Sequence, residues 1–197
     1  MKKCLLFLLV MVATTVNAQF KLTINGFVSE EDNSKDYVVY TFDGVSQEQL
    51  YVKVLSFVHK KFKNPDVVLN EIKNEMVTIT GSQEKCISVD KPKKILGSKY
   101  SFSGGYDLEY SIPIQFKEGR IKVDAPNFEC KGKSGGKNAY LVLSGSNGGF
   151  GTEVRTGLFK KNGEPSRENA IKMLEDYFNG FCGELVAFIK EASSEEW

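Results

Sequence analysis

Histidine and tryptophan each occur once in the 197 residues, and Lys plus Arg number 26 against 25 Asp plus Glu. Each scarcity excludes something. The single histidine, His59, falls one step past Val58 amid Lys60 and Lys61, on the expected solvent side of a helix, so it reads as a surface residue. With no second histidine and no CxxC pair, the ligand cluster of a structural zinc site is missing. No metal and no cofactor is expected. Ser144-Gly145-Ser146-Asn147-Gly148 misses the GxSxG elbow at its first position, and no GxxxxGK[ST] phosphate loop occurs. Near-neutral charge supplies no general attraction to nucleic acid, so no nucleic-acid partner is expected.

Long apolar runs are also missing. Leu5 to Ala13 is a run of about nine residues, too short for the roughly 20 that span a bilayer. Lys2 and Lys3 precede it, and Val16-Asn17-Ala18 supplies small residues at −3 and −1, so residues 1–18 read as a signal peptide cut before Gln19. Cys4 precedes the apolar run and therefore cannot be a lipidated cysteine at the cleavage point. The expected mature chain, 19–197, has 24 basic and 25 acidic side chains and no transmembrane segment. It is expected to be one exported α+β domain, periplasmic or at the cell surface. Three cysteines remain, Cys86, Cys130 and Cys182. In an oxidising compartment an odd number cannot all pair within the chain, and the three possible bridges are indistinguishable from buried thiols.

What is present is period. Gln19 to Val28 alternates apolar and polar and predicts a strand, inside or outside the main sheet; Ser29–Asp36 is an acidic loop. Tyr37–Phe42 is a dense β-branched and aromatic strand. Ser46 and Gln49 form a capping box, and Leu50, Val54, Phe57, Val58 and Phe62 give the apolar face of a helix that ends at Asn64, before Pro65. Val67–Ile72 and Met76–Thr80 predict a hairpin. Gln83–Gly105 has no strong period and predicts a loop with a short strand near Tyr100. Tyr106–Phe116 and Arg120–Val123 predict a second hairpin turning at Glu118-Gly119, with Pro113 placing the first strand at an edge or a bulge. Phe128–Cys130 continues the return strand. Tyr140–Leu143 is a short strand between two flexible glycine-rich flanks, 131–137 and 144–151. The closing helix starts near Ser166 on an apolar face from Ile171 to Ile189, with Gly180 and Gly183 predicting a kink or two helices. Cys182 continues that face and reads as core.

The outline is strand, helix, four strands, extra segments, helix: an antiparallel sheet with helices on one face. YVVYTFDGVSQEQLYVKVLSFVHKKFKNP, NEMVTITG and YDLEYSIPIQFKEGRIKV resemble exported Bacteroidetes domains of unknown function with a TATA-binding-protein-like fold, over about residues 36–130. The resemblance implies that fold, a strand-helix-four-strand-helix core, and no known catalytic residues. It does not imply DNA binding, because one fold serves many functions.

Two constellations are candidates for function. Asp107 and Glu109 lie two apart on one strand face and would serve a carboxylate-dependent hydrolase or glycan-processing enzyme. Alternation with Leu108 and Tyr110 explains them equally as the wet face of a half-buried sheet. Tyr100, Phe102, Tyr106 and Tyr110 cluster beside glycines; as a partly exposed patch they would form a recognition surface, and as one buried row they would be core. The leading expectation is a non-enzymatic binding domain for an envelope protein or glycan, with the hydrolase second and a self-assembling envelope component third.

Overall fold

The longest strands run where apolar residues recur at every second position. In β8 (Gly104–Lys117) the row Tyr106, Leu108, Tyr110, Ile112, Ile114 and Phe116 is buried throughout. The computed structural model describes residues 18–89, 92–95, 98–101, 104–146 and 152–194, with only the backbone of 92–95, 98–101, 104 and 192–194. In chain order the elements are β1 (Phe20–Thr23), β2 (Gly26–Ser29), β3 (Tyr37–Thr41), α1 (Gln47–Lys61), the short α2 (Pro65–Val68), β4 (Leu69–Ile72), β5 (Met76–Val89), β6 (Pro92–Ile95), β7 (Ser98–Ser101), β8, β9 (Arg120–Asp124), β10 (Asn127–Ser134), β11 (Lys137–Ser144), β12 (Glu153–Phe159) and α3 (Glu168–Ser194).

β8 is the axis of the main sheet. Along one edge it pairs with β5 and, through β5, with β4. The other edge forks: residues 107–111 pair with β10, and 114–117 pair with β9, which carries β3. Pro113 therefore lies inside a central strand, not at an edge. It is tolerated because it falls between the two partners of the forked edge, where a missing N–H breaks no ladder. Beyond β10 come β11, antiparallel, and β12, parallel to β11. Stripped of β1–β2, β6–β7 and β10–β12, the order is β3, α1, β4, β5, β8, β9, α3, with α2 a single turn before β4.

Ser46 caps α1 as its sequence predicts: the Gln49 N–H donates to Ser46 Oγ at 3.2 Å and the Ser46 N–H to Gln49 Oε1 at 2.9 Å. Leu50, Val54, Phe57 and Val58 join one continuous core cluster with Ile79, Ile112 and Ile114 of the sheet and Leu174, Phe178, Phe181, Cys182 and Leu185 of α3. α3 packs against α1, β1, β5 and β12.

Several expectations are corrected. Gln19–Val28 is not one strand but the hairpin β1–β2, outside the main sheet. Its turn is Ile24-Asn25, and Gly26 follows at φ 114°; Asn25-Gly26 is a hairpin signal in its own right. Asn179 of α3 serves as a third strand for this hairpin: Phe20 N–H donates to Asn179 Oδ1 at 2.8 Å, and Asn179 Nδ2 donates to Phe20 O at 2.9 Å. One turn earlier, Glu175 Oε1 accepts from Leu22 N–H at 2.8 Å. Val67 and Val68 belong to α2, because Pro65 at its first position presets the helical φ. Phe128–Cys130 belongs to a separate strand, β10, on the other half of β8.

The region expected as a loop with a short strand near Tyr100, Gln83–Gly105, holds more strand than that among its described residues: β5 runs on to Val89, and β6 pairs antiparallel with β7, which carries Tyr100. A register shift between Gln83 and Ile87 breaks the apolar alternation. The flank 131–137 likewise extends β10 and β11 into one hairpin around Gly135-Gly136, both at positive φ. Residues 147–151 of the second flank lie outside the described residues.

α3 is one helix, with no break at Gly180 or Gly183. Its buried row, from Ala170 to Ile189, supplies more than two glycines on the opposite side remove. A Cβ on either glycine would meet nothing within 4 Å. Gly183→Ala should therefore stabilise the protein by about 0.5–1 kcal/mol, the ordinary helix-interior difference. A rise in the urea midpoint at unchanged slope checks this, and a fall would show that the glycine is needed for the backbone.

Candidate functional site

Between the C-terminal end of α1 and the middle of α3 lies an open groove of about 830 Å³. Lys61, Phe62 and Lys63 form one wall; Asp176, Tyr177, Gly180, Phe181 and Glu184 form the other. Its floor is Ser82 and Gln83 of β5 with Tyr110 of β8. The walls come from the two ends of the chain because α1 and α3 pack side by side, closed at one point by the ion pair of Lys61 with Glu184. The Lys61 ammonium also lies 5.6 Å from the ring centre of Phe181 and 5.8 Å from that of Phe57. Asp176 is held by Lys172 at 2.7 Å.

Tyr110 and Tyr177 meet edge to face, ring centres 5.5 Å apart. Burial raises the pKa of both phenols above the ordinary tyrosine value. The coupling between their hydroxyls adds to the rise at Tyr177 and opposes it at Tyr110. Both stay neutral in any physiological medium, so they offer ring surface and no phenolate. Gly180 has open space where a side chain would stand, which keeps that wall of the groove low.

The candidate aromatics are distributed differently from a surface patch. Tyr106 is 6 % exposed and Tyr110 7 %. Each is laid over a glycine of a neighbouring strand: Tyr110 over Gly81 of β5, and Tyr106 over Gly132 of β10, whose Cβ would stand 3.1 Å from Tyr106 Cδ1. Of the two, Tyr110 borders the groove. Tyr100 falls in β7, its side chain outside the described residues, and Phe102 lies outside them altogether. Tyr177, Gly180 and Lys61 had no signal in the sequence beyond helix periodicity.

Asp107 and Glu109 have structural roles. Asp107 Oδ1 accepts from the Lys85 N–H at 2.7 Å, holding the irregular stretch of β5 where Lys85 takes φ 49°. Glu109 faces Glu129 across the β8–β10 ladder, and Lys131 bridges them at 2.6 and 3.1 Å. The three cysteines are free thiols. Burial pushes Cys130 and Cys182 up to about 12 and raises Cys86 as well. This is the reverse of the lowered pKa that a nucleophilic thiolate needs. His59 is exposed on α1. Among the described residues no helix is long and apolar enough to cross a membrane.

No family model matches the chain, and no curated protein matches it. Two solved structures are similar in shape. One is a TBP-like protein from Parabacteroides distasonis ATCC 8503, 12% identical, covering 81% of this chain and 92% of that one at a TM-score of 0.47. The other is a DUF4468 family protein from Bacteroides ovatus ATCC 8483, also 12% identical, covering 78% of this chain and 84% of that one at 0.49.

Proposed function

We propose that this protein is an exported, non-enzymatic binding domain on a TBP-like α+β scaffold, and that its ligand, an envelope glycan or protein segment, lies in the groove between α1 and α3. One observation carries the reading: an open groove is lined by the rings of Phe62, Tyr110, Tyr177 and Phe181, by the hydroxyl of Ser82 and the amide of Gln83, and by the charges of Lys61, Lys63, Asp176 and Glu184. Tyr177, Phe181 and the edge of Tyr110 present flat apolar surface; Ser82 and Gln83 present hydrogen-bonding groups. Ring faces set among hydrogen-bonding and charged groups suit a polar ligand with some apolar surface. Export rests on the leader-like residues 1–18.

Gly180→Leu tests the groove without disturbing the core. Leucine is a good helix former and has open space to occupy there, so it fills the groove while the fold stands. Wild-type and variant protein would be cross-linked in the native envelope and the captured species identified by mass spectrometry. One reproducible glycan class or protein, lost in Gly180→Leu, is expected, together with a captured chain that begins at Gln19. Equal capture by both forms would move the ligand elsewhere. A chain that retains residues 1–18 would refute export independently of the groove.

A further inference from the structure

On the sheet face turned away from the helices, β3, β9 and the end of β8 enclose a second concavity of about 300 Å³, lined by Tyr37, Val39, Gln115, Lys117, Arg120 and Lys122. Strand alternation puts these residues there: Val38 and Tyr40 are buried while Tyr37 and Val39 point the other way, Val39 being 39 % exposed. Lys122 stands in register between Val39 and Gln115, and Arg120 directly opposite Lys117.

Three cations therefore share one small surface. Lys122 is balanced by Asp124 at 2.9 Å and lies 5.1 Å from the centre of the Tyr37 ring. The other Asp124 oxygen accepts from Gln115 Nε2 at 2.9 Å, so both oxygens of that carboxylate are engaged. Lys117 and Arg120 have no carboxylate partner among the described residues. Like charges directly opposed across two strands destabilise a sheet, and this pair stands at the rim of the concavity.

We propose that Lys117 and Arg120 bind the carboxylate or phosphate of a sugar-sized ligand in this pocket. The Arg120 fork matches either anion with two parallel hydrogen bonds, and Lys117 adds a second charge from the neighbouring strand. The space is more than a bare anion needs and sits at the lower end of the usual range for small-molecule sites. Val39 offers apolar surface to the body of the ligand, and the Tyr37 hydroxyl offers a hydrogen bond. The site is on the opposite face from the groove and stands independently of it.

Titration of the purified protein at low ionic strength with glucuronate, glucose 6-phosphate, glucose and inorganic phosphate, followed by amide chemical shifts, tests the proposal. Saturable shifts on β3, β8 and β9 are expected with at least one charged sugar and not with glucose; which sugar binds identifies the anion. Lys117→Gln and Arg120→Gln should each weaken binding by about tenfold, the worth of one charge-assisted hydrogen bond. Neither should lower the urea midpoint, since each relieves an opposed pair. Binding of inorganic phosphate as tight as that of the sugar phosphate would overturn the sugar-sized site. So would affinity unchanged in both variants, or no response to either charged sugar.

Discussion

Phe178→Ala is expected to cost about 3–5 kcal/mol, a large share of the stability of a domain this size. Phe178 is fully buried, and four rings surround it: Phe27 at 5.1 Å, Tyr177 at 5.3 Å, Tyr110 at 5.7 Å and Phe128 at 6.3 Å between centres. Those rings belong to β2, α3, β8 and β10, so one side chain ties the outlying hairpin and two strands of the main sheet to the closing helix. Truncation removes the transfer free energy of the ring and leaves a cavity that four rigid neighbours fill poorly. Beyond the β1–β2 pairing, the hairpin keeps its bonds to Asn179 and Glu175 and should loosen first, which amide exchange on residues 20–29 would register. Val52, half-exposed on α1, is the control: Val52→Ala should stay within about 0.5 kcal/mol. A loss at Phe178 no larger than the control's would mean that α3 is not anchored where the ring geometry places it.

The parts of this fold legible in the sequence are those where a local signal and the tertiary environment agree. The capping box at Ser46 and the buried row of β8 are fixed by a few adjacent residues, and both are found where period and caps place them. The missed parts are those where the environment overrides period. β12 ends in four consecutive buried residues, Thr156 to Phe159, because both faces of that stretch are covered; alternation cannot report such a strand. β5 loses its period from Gly81 onward, where an inward position carries no side chain and the next inward position, Gln83, opens on the groove. α3 passes its two glycines because its opposite side is buried. The candidate groove was less legible still. Tyr110 was visible as one aromatic among four, but the groove joins Lys61, Ser82, Tyr110 and Tyr177, and only the packing of α1 against α3 over β5 brings them together.

Gly81→Ala is the second large effect, and its sign decides between two accounts of Tyr110. Alanine in place of glycine within a strand ordinarily gains about 0.5–1 kcal/mol from the smaller entropy lost on folding. At Gly81, however, an added Cβ would stand 2.4 Å from the Tyr110 hydroxyl oxygen and 2.5 Å from Cζ. Contacts that short force the ring to move. The ring is braced by Tyr177 and Phe178, so overpacking of about 1–3 kcal/mol should outweigh the gain and leave a net loss. Tyr110→Phe does not relieve the contact, because Cζ remains. Tyr110→Ala does, at its own cavity cost, and in that background Gly81→Ala should turn neutral or stabilising. A double-mutant cycle measured by urea unfolding reads this coupling directly. Gly183→Ala, the same substitution with nothing in its way, supplies the opposite sign for comparison. Additivity between positions 81 and 110 would mean that the tyrosine is free to swing aside into the groove. It would then belong to a movable recognition surface instead of the fixed floor that its buried position indicates.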